Sequence, residues 1–165
     1  MRDFPLALCA LNLALVAHGS EANAADVAPL SLKTAGAVAG MTLHVADKDS
    51  YSVRLDYFYP PNDPVARQQL WAGVGGVRPD ATGHTSEQGA PFNVFLRIYD
   101  IDAAVVIQDR RIDHPTLSSW GSGVLHAELS EVRLRPGRYQ IMVERRGSAA
   151  GISDYRAAVS VVRAY

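Results

Sequence analysis

Residues 136–144 read Pro-Gly-Arg-Tyr-Gln-Ile-Met-Val-Glu, a turn dipeptide followed by alternation of apolar and polar side chains. Tyr139, Ile141 and Val143 take one face and Arg138, Gln140 and Glu144 the other, the pattern of a strand with one face on a core. Proline presets φ and glycine accepts left-handed backbone, so the pair marks the turn from which the strand departs. Upstream, residues 124–129 set Leu125, Ala127 and Leu129 against His126 and Glu128, and Val132 and Leu134 lead into the turn. Downstream, 155–163 alternates to the end. Nearer the start, 41–45 and 51–57 alternate around Asp47-Lys48-Asp49, which predicts a hairpin with one buried face. The runs 92–101 and 103–108, joined at Asp100-Ile101-Asp102, are continuously β-rich and predict central strands covered on both faces.

One helix interrupts this series. Pro60 and Pro61 end the strand before them, since proline cannot donate to a ladder. Asp63-Pro64 then supplies an N-cap and a proline at the first helical position, opening a helix over 64–72. Val65, Leu70 and Trp71 are expected against a sheet, and Gly73-Val74-Gly75-Gly76 ends the helix. Residues 78–89 are polar and turn-rich, and 113–123 is expected to be irregular. Seven or so short strands with turns at regular spacing predict an all-β fold, an antiparallel immunoglobulin-like or transthyretin-like β-sandwich with one short helix.

Of 165 residues, 48% are hydrophobic and 20% charged, a balance that buries one core and argues against disorder or fibre. Lys+Arg 16 against Asp+Glu 17 leaves no basic surplus for nucleic acid. The 13-residue apolar run 5–17 follows Arg2, is too short to span a bilayer, and leads to Ala22-Asn23-Ala24. A positive start, an apolar middle and small residues before a cut predict a signal peptide over 1–24, with Ala17-His18-Gly19 as a second cleavage option. An extended lead-in over 25–35 and a single sandwich domain over 36–165 follow. Periplasmic or secreted localisation is therefore expected. Cys9 is the only cysteine and lies within the leader, so a cleaved chain has no disulfide, thiolate metal site or thiol nucleophile.

The segment Leu134-Arg135-Pro136-Gly137-Arg138-Tyr139-Gln140-Ile141 resembles the Leu-x-Pro-Gly-x-Tyr hairpin of immunoglobulin-like and transthyretin-like extracellular sandwiches, a fold signal nearly silent on function. A broader likeness covers 50–144: the aromatic strand YSVRLDYFY, a helix after an acidic loop (NDPVARQQLW), a strand opening Pro91-Phe92-Asn93-Val94, and the Pro-Gly-Tyr segment. In that order these are similar to a family of uncharacterised proteobacterial exported domains of unknown function. The resemblance implies a bacterial envelope protein that binds another protein, and it brings no catalytic residues.

Chemistry-bearing patterns are sparse. His44, His84, His114 and His126 have no mutual metal-pair spacing, and His44 and His126 fall on polar strand faces. The pairs Asp47/Asp49 and Asp100/Asp102 lie in predicted turns, where each needs only its own backbone, although converging loops would offer Ca²⁺ oxygens. Ser118-Ser119-Trp120-Gly121-Ser122-Gly123 lacks the spacing of a nucleophile elbow. No cofactor or metal is expected. Recognition remains, with Trp120, Arg78, His84, Arg110, Arg111 and His114 as candidate contact residues, since exposed aromatics and arginines anchor interfaces. A non-catalytic module binding an envelope or secreted protein, by toxin neutralisation or envelope assembly, is the leading expectation. A carbohydrate or small-ligand binder is the alternative, with a purely structural envelope role and a hydrolase behind it. A sugar binder requires Trp120 coplanar with Tyr59 or Trp71; a protein binder requires a convex loop cluster or an open edge, which the terminal strand 156–165 is expected to supply.

Overall fold

The computed structural model describes residues 26–76, 78–79, 85–86 and 88–164. The expected leader over 1–24 lies outside the described residues. In chain order the elements are β1 (Asp26–Leu30), β2 (Val38–Val45), β3 (Asp49–Phe58), α1 (Pro64–Gly73), β4 (Arg78–Pro79), β5 (Thr85–Ser86), β6 (Asn93–Asp100), β7 (Val105–Asp113), β8 (Ser119–Gly121), β9 (Val124–Leu134), β10 (Gly137–Arg146) and β11 (Arg156–Arg163). One sheet runs β1-β11-β3-β9-β8 and the other β2-β10-β6-β7, with β4 and β5 a separate ribbon. Every described pairing is antiparallel. The fold is an antiparallel β-sandwich with one short helix, and its two sheets hold nine strands rather than seven or so.

The core lies between the sheets. Val53, Leu55 and Tyr57 of β3 and Leu125, Ala127 and Leu129 of β9 face Val94, Leu96 and Ile98 of β6 and Tyr139, Ile141 and Val143 of β10, all essentially buried. Each large side chain among them contributes about 1.5–3 kcal/mol by leaving water. The alternation in β9 and β10 thus gives the faces that the sequence predicts. It does not give the partners.

Residues 41–45 and 51–57 form strands but no hairpin: β2 pairs with β10, Leu43 opposite Tyr139, while β3 lies in the other sheet between β11 and β9. The acidic turn between them crosses from one sheet to the other. Both faces of β3 are covered, because outward-facing Ser52 and Asp56 are also buried under polar neighbours. Ser52 Oγ donates to Glu128 at 2.7 Å, and Asp56 meets His126 Nδ1 at 2.7 Å.

The Pro136-Gly137 turn likewise joins β9 to β10 across the sheets rather than as a hairpin. Tyr139 Oη donates to the Arg135 carbonyl at 2.9 Å, tying the strand back to its own corner. The expectation of two central, doubly covered strands over 92–108 is also corrected. β6 alternates buried and open positions, and β7 is an edge exposed along nearly its whole length. The inward positions of β7 carry Gln108 and Arg110, whose polar ends cannot enter an apolar core; Gln108 accepts from Ser130 Oγ at 2.8 Å and Arg110 Nη2 donates to the Leu129 carbonyl.

The terminal strand is no edge. β11 lies between β1 and β3, with Val159 opposite Ala28 on one side and Leu55 on the other. Within the segment expected to be irregular, Ser119–Gly121 pairs with the start of β9.

Candidate binding surface at the helix end of the sandwich

Asp63 begins α1 as expected: Oδ1 accepts from the Val65 and Ala66 amides at 3.0 and 2.8 Å, satisfying two of the free donors of the first turn. The inward row is Ala66, Leu70 and Val74, with Leu70 and Val74 fully buried. Tyr155 Oη donates to the Ala66 carbonyl at 3.3 Å and ties the helix to the chain entering β11. Val65, expected inward, is 60% exposed, and Trp71 is only half-buried. The reason is angular: residues 64, 67, 68 and 71 share the face turned away from Leu70, and this face carries Trp71 outward. Gly76 is needed beside it, because a Cβ there would collide with the Trp71 indole nitrogen.

Against this helical row stands the β8–β9 hairpin. Gly121 and Val124 close a turn over Ser122-Gly123. Gly123 takes φ +78°, and its Cβ position is crowded by Pro61 and the Tyr59 carbonyl, so only glycine fits without strain. Tyr59 donates its hydroxyl to the Gly121 carbonyl and its amide to the Gly123 carbonyl, both at 3.0 Å, clamping the hairpin to the end of β3. Trp120 is thereby held 61% exposed. Its ring centroid is 5.4 Å from that of Trp71 at 68°, an edge-to-face pair, and Arg67 Cζ is 5.6 Å from the Trp71 ring centroid. Such a pair contributes about 0.5–1.5 kcal/mol beyond its area, and an exposed cation–π contact about 0.5–1 kcal/mol. Tyr59, Pro61, Asp63, Arg67, Trp120 and Ser122 line an open depression of about 390 Å³.

This corner offers an apolar ridge of two rigid indoles, a cation, and a carboxylate whose Oδ1 is engaged by the helix. It does not offer the flat double-ring platform required of a sugar binder, because the Trp rings cross at 68° and Tyr59 is buried.

The other sequence-selected residues lie elsewhere. Arg78 belongs to β4, and His84 falls outside the described residues. Arg110 reaches across to β9, whereas Arg111, on the opposite face of β7, pairs with Asp113. His114 takes a left-handed φ of 48°, and its Nδ1 is 2.9 Å from the Ala90 carbonyl. None of the latter three lines the Trp120 depression. Sequence reasoning missed Arg67 and treated Trp71 as core. The signal was the spacing 64, 67, 68, 71, one helical face that contains no aliphatic residue.

Three of the four turn aspartates have hydrogen-bond partners. Asp49 Oδ1 accepts from the Ser50 amide and Asp100 Oδ1 from the Ala103 amide, both at 2.8 Å. Asp102 accepts from the Arg138 side chain and amide, and these hydrogen bonds hold its carboxyl below the usual carboxylate range. Among the described residues no group of three or more His, Cys, Asp or Glu is placed to hold a metal ion.

Residues 27–163 match the model of a family described as a domain of unknown function, DUF5625. Among solved structures, a protein from Sulfurospirillum deleyianum is similar at 13% identity with a TM-score of 0.68, over 87% of this chain and 99% of that one. A family 35 carbohydrate binding module from an environmental isolate matches at 16% identity over 81% of this chain and 69% of that one, but its TM-score is 0.36. The first likeness establishes the sandwich fold; the second lies too far in shape to bear on this surface. No curated protein matches.

Proposed function

The chain belongs to the DUF5625 family, a domain of unknown function, and from that premise we propose that it is an exported, non-catalytic binding module that recognises another protein of the bacterial envelope or its surroundings. The observation that carries this reading is Trp120, 61% exposed yet fixed by a glycine turn, the Tyr59 clamp and the Trp71 ring. A rigid exposed indole loses little side-chain freedom on contact, and it has much apolar area left to bury, which is the character of an interface anchor. The crossed rings form an apolar ridge suited to contact with an apolar or aromatic side chain. Arg67 beside it suits a partner carboxylate at the rim.

The test is a pull-down of tagged chain 25–165 from its own cell-envelope extract, in parallel with Trp120→Ala and Arg67→Ala, with a glycan screen of the same preparations. A stoichiometric protein held by the wild type and lost with Trp120→Ala is the expected result. A partner retained at full occupancy by Trp120→Ala refutes the surface, and a glycan bound without any protein partner moves the site to sugar recognition. Export is checked separately by fusing residues 1–24 to a reporter active only outside the cytoplasm; an inactive fusion removes that part of the reading.

A further inference from the structure

Arg145 heads the fully buried side chains by volume, at 1% exposure, and none of its partners is a carboxylate among the described residues. The alternation of β10 turns it inward after Tyr139, Ile141 and Val143. Its Nε donates to the Ser31 carbonyl at 3.3 Å, Nη1 donates to the Gly147 carbonyl, and Cζ is 5.6 Å from the Phe92 ring centroid. Two neutral carbonyls and a ring are thin compensation for a guanidinium taken out of water. Burial accordingly lowers its affinity for the proton.

The guanidinium has five N–H donors, and Nη2 makes no hydrogen bond among the described residues. Arg145 borders an open cleft of about 390 Å³ between the β1–β2 and β10–β11 connections, with Leu32, Lys33, Ser148 and Ser153 among its lining. Lys33 Nζ is 3.5 Å from Asp154, with side chains 73% and 90% exposed, an ion pair weak enough to be exchanged for a stronger anion.

We propose that this cleft is an oxyanion site: a carboxylate or phosphate group accepts from Nη2 of Arg145, Lys33 supplies a second positive charge, and the Ser148 hydroxyl offers a further donor. The guanidinium fork matches either anion, and two carbonyls and the Phe92 ring hold it in place beforehand. The site is separate from the Trp120 surface and independent of it.

The test is a titration of the full chain, labelled at its arginine side chains, first with inorganic phosphate and then with succinate, following the Arg145 Nε–H signal by NMR. Saturable displacement of that signal is expected, weakened about tenfold or more in Arg145→Lys, which keeps charge but loses the fork, and about threefold in Lys33→Ala. Trp120→Ala leaves it unchanged, so failure of the protein-binding reading is distinguishable from failure here. Saturation by only one probe identifies the anion class. If Arg145→Lys does not fold, the location of the wild-type response decides: displacement at Arg145 supports the site, and displacement confined to other arginines overturns it. No saturable response to either probe, or an Arg145→Lys affinity equal to the wild type, also overturns it and leaves Arg145 a loop latch.

Discussion

Tyr57→Phe provides a sharp test of the core packing. Tyr57 is on β3, fully buried, with Leu125 of β9 and Ala157 of β11 as its cross-strand neighbours. Its hydroxyl has no partner among the described residues. Leaving a buried hydroxyl unsatisfied costs about 1–3 kcal/mol. Removing the oxygen returns that cost, less a few tenths of a kcal/mol for the small void at about 24 cal/mol per Å³. The net expectation is a gain of about 1 kcal/mol at neutral pH, or about 4 °C in Tm for a domain of this size. A second arm follows from titration. Burial pushes the Tyr57 phenol above its ordinary range, so the folded state keeps the proton where the unfolded chain releases it. Its contribution is therefore complete below the unfolded value of about 10 and falls as pH rises further, by up to about 1.4 kcal/mol per pH unit. Urea unfolding followed by Trp fluorescence at pH 7.5 and at several values above 10 reads both arms. Tyr57→Phe should start higher and decline less steeply than the wild type. A variant that is less stable at neutral pH, with an unchanged alkaline slope, means that the hydroxyl is satisfied, and it refutes the reasoning.

Trp120→Ala should lose about 1–2 kcal/mol in chemical denaturation, because the edge-to-face contact and the covered part of the indole are forfeited; a loss several times larger would make Trp120 a structural residue rather than an exposed anchor. Asp63→Ala should cost about 1 kcal/mol and Asp63→Asn much less, since the amide oxygen still caps the helix, and equal losses would discount the cap. Gly76→Ala should displace the Trp71 indole, shifting the emission spectrum and costing about 1–3 kcal/mol. Removing 156–165 should abolish cooperative unfolding, because β1 and β3 both lose their shared neighbour; a sharp melt in the truncated chain would contradict the observed sheet order.

Periodicity made much of the fold legible, but only the part that concerns faces. A period of two states which side chains turn inward, and Tyr139, Ile141 and Val143 do so. It is silent on which sheet receives the strand, since an inward face looks the same from either side of a sandwich. That is why 41–45 and 51–57 read as a hairpin although their short link crosses between layers. The helix start was legible because capping is local chemistry: one carboxylate, two amides and a proline. The surface at Trp120 was half legible. Its flanking serines and glycines marked exposure, whereas the contact with Trp71 joins residues 49 apart in sequence and depends on how α1 docks. Arg145 escaped notice for another reason. The alternation through Val143 continues to 145, but an arginine at an inward position contradicts the expectation that charge stays in water.

Edges carry the same lesson about what a chain can say of itself. The last strand reads as a vulnerable edge because the chain ends there, its residues are small and apolar, and few charges guard it. Those same features suit an interior strand. In β11 five consecutive residues from Ala157 to Val161 are buried, so both of its faces are covered, and β1 and β3 pair with its two edges. The edge strand β7 is marked differently. Gln108 and Arg110 point inward, Arg97–Asp109 and Arg111–Asp113 pair over its outer face, and the register slips between Ile98 and Tyr99 of its neighbour. Inward polar groups, surface charges and a bulge each discourage another strand from adding on. The inward polar groups and ion pairs cover 108–113, whereas Val105, Val106 and Ile107, where the bulge falls, are between 42% and 52% exposed at the head of the strand. At β7, therefore, inward-facing Gln108 and Arg110, and not position in the chain, are the sequence feature that marks the edge.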